Sequence, residues 1–517
     1  MIFQALSRKE ILPGIEKVAW ALFFVSLPVT GFPFLPPALG GVALVRPLAI
    51  YPLIILLVVT AMPRLIGKPL PKPFVPLLIF VIVVVAGSFL ASLQAVNDLL
   101  GVSLLDRTIR SFLTLGLGVA FYMTVALLPR NRQDLMYSLR WLYIGFAIAL
   151  LWGSLQAVYV LHYSPEYFRW ISEIQKYISI RRLIPKRVSG LTYEPNWFAE
   201  QISFLLMPWL FASVLSRTTV FRWSFRWITI ELLVLVWSIF VLILTYSRAG
   251  LLVCAALLFF SVFLYRPSNL ENSVRKRLGW ARMAKRTMFG GMMILVLGGL
   301  IFWVGSRNGY FSRLWRYWTD EESTGEYWTY IAFSQRFIYW ETAYHMFESY
   351  PLFGVGVGNY AFYFEEMLPD RPLFKTPELL RLITPEEGRT RLVTSKNLYA
   401  RLIAETGLVG TASFVVFLVS ILGWVIFFWL SPFKVHKFWG IAGILGFVAF
   451  ALAAFSFDSF ALPNMWVIFG LLTAAGQVFA PTETGELAGV VKPHDRGGPV
   501  HATRASSCTL DEVADPD

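Results

Sequence analysis

Apolar residues occupy this chain in long unbroken blocks rather than in the one-sided stripe of a water-soluble helix. Blocks rich in Leu, Val, Phe and Ala fall near residues 16–32, 42–62, 74–95, 108–128, 139–161, 197–215, 227–245, 249–265, 287–305, 405–430, 438–456 and 463–480. In lipid a backbone must satisfy its own hydrogen bonds, and blocks of about twenty such residues do so as helices. The short alternating strands of a membrane barrel are missing from the pattern. The expected fold is all-α, a polytopic membrane protein with about twelve transmembrane helices. A composition 56% hydrophobic and 15% charged agrees with it.

Two long hydrophilic segments interrupt the blocks, an outer loop at 162–196 and a larger one at 306–397 between the ninth and tenth spans. The larger loop is expected to be partly helical. "YFSRLWRYWTDEE" suits a helix lying in the membrane interface, with Trp315 and Trp318 as anchors. In "SQRFIYWETAYHMFESYPLFGVGVGNY", Arg336, Trp340 and Tyr344 recur at helical spacing and Pro351 stops the helix. Gly354, Gly356 and Gly358 then form a flexible turn. With no strand before it and no helix after it, this run is not read as a nucleotide fingerprint. In "KRVSGLTYEPNWFAEQ", Pro195 and Asn196 are expected to cap the next span. The domains are then spans one to nine within 1–305, the loop 306–397, spans ten to twelve within 398–480, and a tail 481–517. That tail is rich in Gly, Pro, Thr and charge and is expected to be disordered. The first block follows Arg8, Lys9 and Lys17 without a small-residue cleavage site, as a retained span would.

The net charge of +13 takes its meaning from where it sits. Lys and Arg in the short connections (Arg64, Lys68 and Lys72; Arg130 and Arg132; Arg217 and Arg222; 275–286; Lys434 and Lys437) all fall on one face. The bias of such residues toward the cytoplasm puts both termini there and both long loops outside. Charge at span ends suits a membrane protein in contact with lipid, and no nucleic-acid partner is expected. The outer loops are basic too, with Arg169, Lys176, Arg181, Arg182, Lys186, Arg187, Arg307, Arg313, Arg316, Arg336, Arg371, Lys375, Arg381, Arg389, Arg391 and Lys396. Solvated surface with headgroup contact is one account; a specific anionic ligand is the other. Arg187, just before Gly190 where a span begins, is well sited for a phosphate at membrane level. Arg248 in "LTYSRAGLL" either snorkels to headgroups or faces the same cavity. His345 has no second histidine nearby, so a metal site is not expected. Cys254 and Cys508 lie in an apolar block and the polar tail, so no disulfide is expected.

Four stretches, "KRVSGLTYEPNWFA", "TYSRAG", "SQRFIYW" through "PLFGVGVGNY", and "SKNLYARLIAETGLVG", together resemble the O-antigen ligase and polymerase family. The resemblance implies a membrane glycosyltransferase of the bacterial inner membrane with an extracytoplasmic site. Its donor would be a glycan on undecaprenyl diphosphate and its acceptor a saccharide or lipid-linked glycan, in surface polysaccharide assembly. Neither nucleotide nor metal cofactor is implied. The arginines of the family motifs fall on Arg187, Arg248 and Arg336, which would hold the diphosphate. In the closing motif Asn397, Glu405, Gly407 and Gly410 match, while Lys396 stands where the family has histidine. A lysine is protonated at neutral pH, so Lys396 is favoured as a phosphate contact or leaving-group stabiliser over a base, a snorkelling lysine being the plain alternative. With Arg336 it is the catalytic candidate. Glu405 is expected to bond backbone or side chains rather than take a proton. Ligase and polymerase roles stay open, and a transporter or flippase of lipid-linked sugars is the alternative class.

Overall fold

A computed structural model of the chain describes residues 11–479 apart from 37–42, 68–69, 95, 222, 227, most of 265–300, 320–326, 332 and 370–391. The basic cluster 275–286, part of the ninth apolar block, the cations Arg371, Lys375, Arg381, Arg389 and Arg391, and the tail with Cys508 lie outside the described residues. Eleven helices carry the architecture: α1 (Ile11–Ser26), α2 (Phe74–Ser92), α3 (Leu104–Leu127), α4 (Arg132–Leu161), α5 (Pro195–Ser216), α6 (Ile230–Leu244), α7 (Arg248–Leu264), α8 (Ser334–Ser349), α9 (Leu398–Leu430), α10 (Lys434–Ala453) and α11 (Pro463–Val478). A further helical stretch, Ile50–Leu65, lies between α1 and α2. Among the described residues the only strands are a hairpin pairing Ser224–Phe225 with Ile228–Thr229.

Six helices, α2, α3, α4, α5, α9 and α10, are long and apolar enough to cross a membrane. Ile50–Leu65, α6 and α7 are shorter apolar helices. The chain is thus a mostly helical protein with apolar helices of membrane-spanning length, and the expected count of twelve crossings stays a proposal. Several block limits change, and two of the changes have a local cause. The first block runs to Phe32, yet α1 stops at Ser26, because Val29 to Phe32 bonds a second segment: Arg46 N donates to Thr30 O at 2.7 Å and Phe32 N to Arg46 O at 2.9 Å. The tenth block was expected from residue 405, but α9 starts at Leu398. There the Asn397 side chain accepts from Tyr399 N at 2.9 Å and Ala400 N at 3.3 Å, filling donors that a helix start leaves open.

Two π turns interrupt helices, Leu57–Ala61 before Pro63 and Gln201–Leu206 before Pro208. Proline lacks an N–H and its ring clashes with the carbonyl four residues back; a wider turn absorbs both defects without ending the helix. Small residues let the helices close up. A Cβ at Gly118 of α3 would fall 2.2 Å from Trp466 Nε1 of α11, and Tyr122 and Thr473 hydroxyls bond at 3.0 Å across the same pair. Buried Asn464 of α11 donates to Glu200 Oε1 of α5 at 2.8 Å.

A further irregularity is in α9, where Gly407 takes φ 60° and ψ −161° and the helix breaks. A break in an apolar helix strands carbonyls on one side and N–H groups on the other. The segment after α8 fills both sets. Val355 N donates to Ala404 O at 2.9 Å and Gly356 N to Glu405 O at 3.1 Å, while Leu408 N donates to Pro351 O at 2.8 Å and Val409 N to Leu352 O at 3.1 Å. Gly354, Gly356 and Gly358 all have positive φ. The expectation of a flexible turn is thereby corrected: these glycines form a fixed plug whose backbone must approach the helix too closely for side chains. A Cβ at Gly354 would sit 2.5 Å from Ala404 O, and one at Gly407 2.5 Å from Leu352 O.

Replacing Gly407 by alanine forces a side chain into a backbone region open essentially to glycine and into the Leu352 peptide. A loss of at least about 2 kcal/mol is expected, read as a lowered thermal unfolding midpoint in detergent. Gly423→Ala on the same helix, where a Cβ meets nothing within 4 Å, should leave the midpoint unchanged or raise it.

Candidate functional site

Arg187 is buried between the first long loop and the end of α6. Its Nε donates to Thr245 O at 2.8 Å and its Nη2 to Asn196 Oδ1 at 2.8 Å. The helix-cap expectation for Asn196 is therefore corrected: Glu194 holds the N-cap position with Pro195 at the first helical position, and the Asn196 amide orients Arg187 instead. Thr245 ends α6 in a tight turn, with Tyr246 at φ 50°. This turn places Arg248 at the start of α7, where Nη1 donates to Ile331 O at 2.9 Å. Asn308 Nδ2 donates to Lys186 O at 2.9 Å, so the two long loops touch beside Arg187.

Ile331 leads into α8, which carries Arg336. The Arg336 guanidinium donates through Nη1 to Phe455 O at 2.9 Å and Lys396 O at 3.3 Å. The first carbonyl lies just past the C-terminus of α10, an end that attracts cations. Leu398 N donates to Ala454 O at 2.8 Å, so the start of α9 docks on the same helix end.

Lys396 is exposed, with φ 49°, a left-handed conformation that costs a lysine energy. Asp458 Oδ2 holds it by accepting from Lys396 N at 2.8 Å, and Nζ lies 5.2 Å from the Tyr339 ring centroid. Asp458 was not singled out from sequence, since it sits in "FSFDSF" between two apolar helices without a recognisable motif. One signal existed: it is an acid in an otherwise apolar connection.

Glu405 is buried and its carboxylate joins a backbone N–H to a side chain. Its Oε2 accepts from Gly358 N at 2.8 Å and from Arg401 Nε at 2.8 Å. Arg401, another residue sequence reading missed, also donates to Asp458 O and lies 4.8 Å from the Phe460 ring centroid. Its i to i+4 spacing from Glu405 was visible in "RLIAE". Gly410 packs under Thr406, where a Cβ would lie 2.4 Å from the threonine Cβ. The plug is anchored on its far side as well: Val357 N donates to Ser88 Oγ at 2.9 Å, Arg107 Nε to Gly358 O at 3.1 Å, and Thr108 Oγ1 to Asn359 Oδ1 at 3.1 Å.

Tyr360 is buried behind this network and donates to Tyr339 O at 2.7 Å. Burial pushes its hydroxyl well above the ordinary phenol value, and Tyr339, Asp458 and Glu405 push the same way. His345 Nδ1 lies 3.0 Å from Met367 O, the contact of a packed side chain.

The bonds thus run in sequence from Arg187 to the turn bearing Arg248, from Arg248 to the lead-in of α8, and from Arg336 of α8 to Lys396. The apolar helices support a multi-pass membrane protein, and hydrogen bonds link the segments that carry Arg187, Arg248, Arg336 and Lys396. Residues 233–415 match the family model described as O-antigen ligase. The match covers less than half of the chain and supports a membrane ligase or polymerase of polysaccharide assembly. No curated protein matches the chain. The match spans Arg248, Arg336, Lys396, Asn397, Glu405, Gly407 and Gly410; Arg187 precedes it.

Removing the Glu405 carboxylate takes the acceptor from Arg401 Nε and Gly358 N and leaves the Arg401 charge with only the Asp458 carbonyl among the described residues. Glu405→Ala is expected to cost about 3–5 kcal/mol, seen as lower thermal stability and membrane yield, with Glu405→Gln recovering part through its amide oxygen. Tyr360 sets a pH signature. A phenol whose folded-state value is raised gives stability that is complete below the unfolded value near 10 and declines as pH rises past it. Between pH 9 and 11 the wild type should therefore lose more stability than Tyr360→Phe in parallel chemical unfolding curves.

Proposed function

We propose that this chain is a membrane glycosyltransferase of about twelve spans whose two long loops face the extracytoplasmic side of a bacterial inner membrane. It takes a glycan from undecaprenyl diphosphate and joins it to a saccharide or lipid-linked acceptor. The family match supports the reaction type. The carrying observation is the series of main-chain bonds that fixes three arginines from distant segments: Arg187 on Thr245 O, Arg248 on Ile331 O, and Arg336 on Phe455 O and Lys396 O. Carbonyl partners orient planar guanidinium forks, which suit paired phosphate oxygens.

In this reading the bond between the anomeric carbon and the diphosphate oxygen breaks, and the diphosphate departs with the electron pair. The acceptor hydroxyl oxygen forms the new glycosidic bond and gives up its proton to the departing diphosphate or, through it, to water. Charge building on the leaving oxygen is the main electrostatic demand, met by cations already in place. Lys396 Nζ, extended from a strained backbone that Asp458 holds, stabilises that oxygen. Arg336 shares this role through its bond to Lys396 O, and Arg187 and Arg248 bind the remaining diphosphate oxygens. Neither a metal nor a nucleotide is assigned a step. Ligase and polymerase differ only in the acceptor. Deleting the gene and sizing surface glycan separates them: single repeat units left on acceptor mark a polymerase, and full chains stranded on lipid mark a ligase.

Purified protein in proteoliposomes with labelled lipid-linked glycan tests the assignment. Arg187→Ala, Arg248→Ala, Arg336→Ala and Lys396→Ala should each lower transfer by about 10²–10³-fold at matched protein amount. The corresponding Arg→Lys variants, which keep charge and lose the fork, should recover little of it. Full transfer in all four alanine variants would remove the reading. Movement of labelled donor across the bilayer without new glycosidic bonds would replace it with a carrier.

A further inference from the structure

A cavity of 450 Å³ opens beside the Arg187 segment, with walls that include Leu44, Arg181, Arg182, Tyr193, Glu194 and Trp197. None of its wall residues belongs to the diphosphate set above. The rings of Tyr193 and Trp197 lie 5.0 Å apart at an interplanar angle of 36° and form a continuous aromatic wall. Both are half-buried, so each backs onto protein while one part meets the cavity. Arg181 lies with its guanidinium carbon 5.2 Å from the Tyr193 centroid and pairs with Glu194 Oε2. Arg182 is exposed at the rim.

These walls are fixed before any ligand arrives. Tyr193 N donates to Thr30 Oγ1 at 3.3 Å, Ile180 N to Gly31 O at 2.9 Å, and a Cβ at Gly31 would lie 3.4 Å from Tyr193 Cα. The turn between Tyr193 and Trp197 is held by Pro195 at the helix start and by the Asn196 bond to Arg187. An aromatic wall with a carboxylate and two arginines around it is chemically specific. Aromatic faces carry partial negative charge, and the C–H bonds on one face of a pyranose ring carry partial positive charge, so the two stack. The carboxylate accepts from sugar hydroxyls and the guanidinium groups donate to them. A lipid chain would find too many polar groups here, and a bare phosphate would gain nothing from the rings.

We infer that this cavity is a saccharide subsite, holding one pyranose unit of a glycan one residue away from the amide that orients Arg187. The inference rests on the glycosyltransferase reading and adds to it the place where a sugar is recognised. The sugar belongs either to the donor or to the acceptor, and the two sources give different kinetics.

Two measurements on the full chain in detergent micelles test it. The first is saturation-transfer NMR with short oligosaccharides released by mild acid from the host strain's surface polysaccharide. Wild type should transfer saturation to sugar ring protons, and Trp197→Ala and Tyr193→Ala should lower the signal at least five-fold, with Trp197→Phe restoring most of it. Leu44→Trp, which fills the cavity from an exposed rim position and removes no buried contact, should abolish it even where an alanine variant fails to fold. Arg336→Ala, outside the cavity walls, should retain the signal while losing transfer, so that failure of the subsite and failure of the transferase reading are told apart. The second is transfer kinetics: Trp197→Ala should raise one KM at least ten-fold with little change in kcat. A raised donor KM places the sugar on the lipid-linked glycan, and a raised acceptor KM places it on the acceptor. Folded Trp197→Ala and Leu44→Trp proteins with undiminished saturation transfer and wild-type KM values would overturn the subsite.

Discussion

The break in α9 at Gly407 is the constraint on which the rest of this end of the molecule depends. A helix in apolar surroundings cannot leave backbone groups without partners, because no water is there to take them. Here the interrupted ladder is completed by a separate segment, Pro351–Gly358, which supplies donors to Ala404 and Glu405 and acceptors to Leu408 and Val409. The loop after α8 therefore has one docking position. Glu405 extends the same seam through its side chain, joining Gly358 N to Arg401. Plug, helix break and ion pair are one unit in which each part satisfies polar groups the others expose.

That unit decides where the cations stand. Docking the plug fixes the loop that follows α8, and α8 itself packs on the first turns of α9 through a buried cluster of Ile338, Tyr339, Ala343, Met346, Ala400 and Ala404. Arg336 is thereby brought to the C-terminal end of α10, where Phe455 O receives it. The turn before α9 is held in a left-handed conformation at Lys396 by Asp458, an arrangement that costs energy locally and is sustained by the surrounding bonds. On the other side, the Arg187 and Arg248 segments are joined by the tight turn at Thr245 and Tyr246. Most of these fixing bonds go to backbone carbonyls rather than to acids, so the scaffold sets the geometry of the guanidinium groups through the main chain.

Misreadings at the level of sequence share a cause. The glycine run looked like a mobile turn because glycine frees the backbone, and periodicity carries no information about what a free backbone will meet. Asn196 looked like a cap because it follows a proline at the head of an apolar block; its amide instead turns to Arg187, a partner nine residues back in a loop. Asp458 and Arg401 gave little local signal, since their importance comes from a meeting of the α10–α11 connection with the start of α9. A carboxylate at the head of an apolar helix has few alternatives to bonding its surroundings, and Glu405 bonds Gly358 N and Arg401 Nε.

By itself the sequence determined that the chain is helical and apolar enough for a membrane, where most helices lie, and which basic residues deserve attention. Hydrophobic block length and charge position are local properties, and lipid leaves the backbone few choices. Its motif order also pointed to the family that residues 233–415 match. Tertiary structure alone decided that α9 is broken and which segment repairs it, that Asn196 serves Arg187, and that Asp458 holds Lys396. Those outcomes depend on hydrogen-bond partners far apart along the chain, brought together only when the helices and loops have packed.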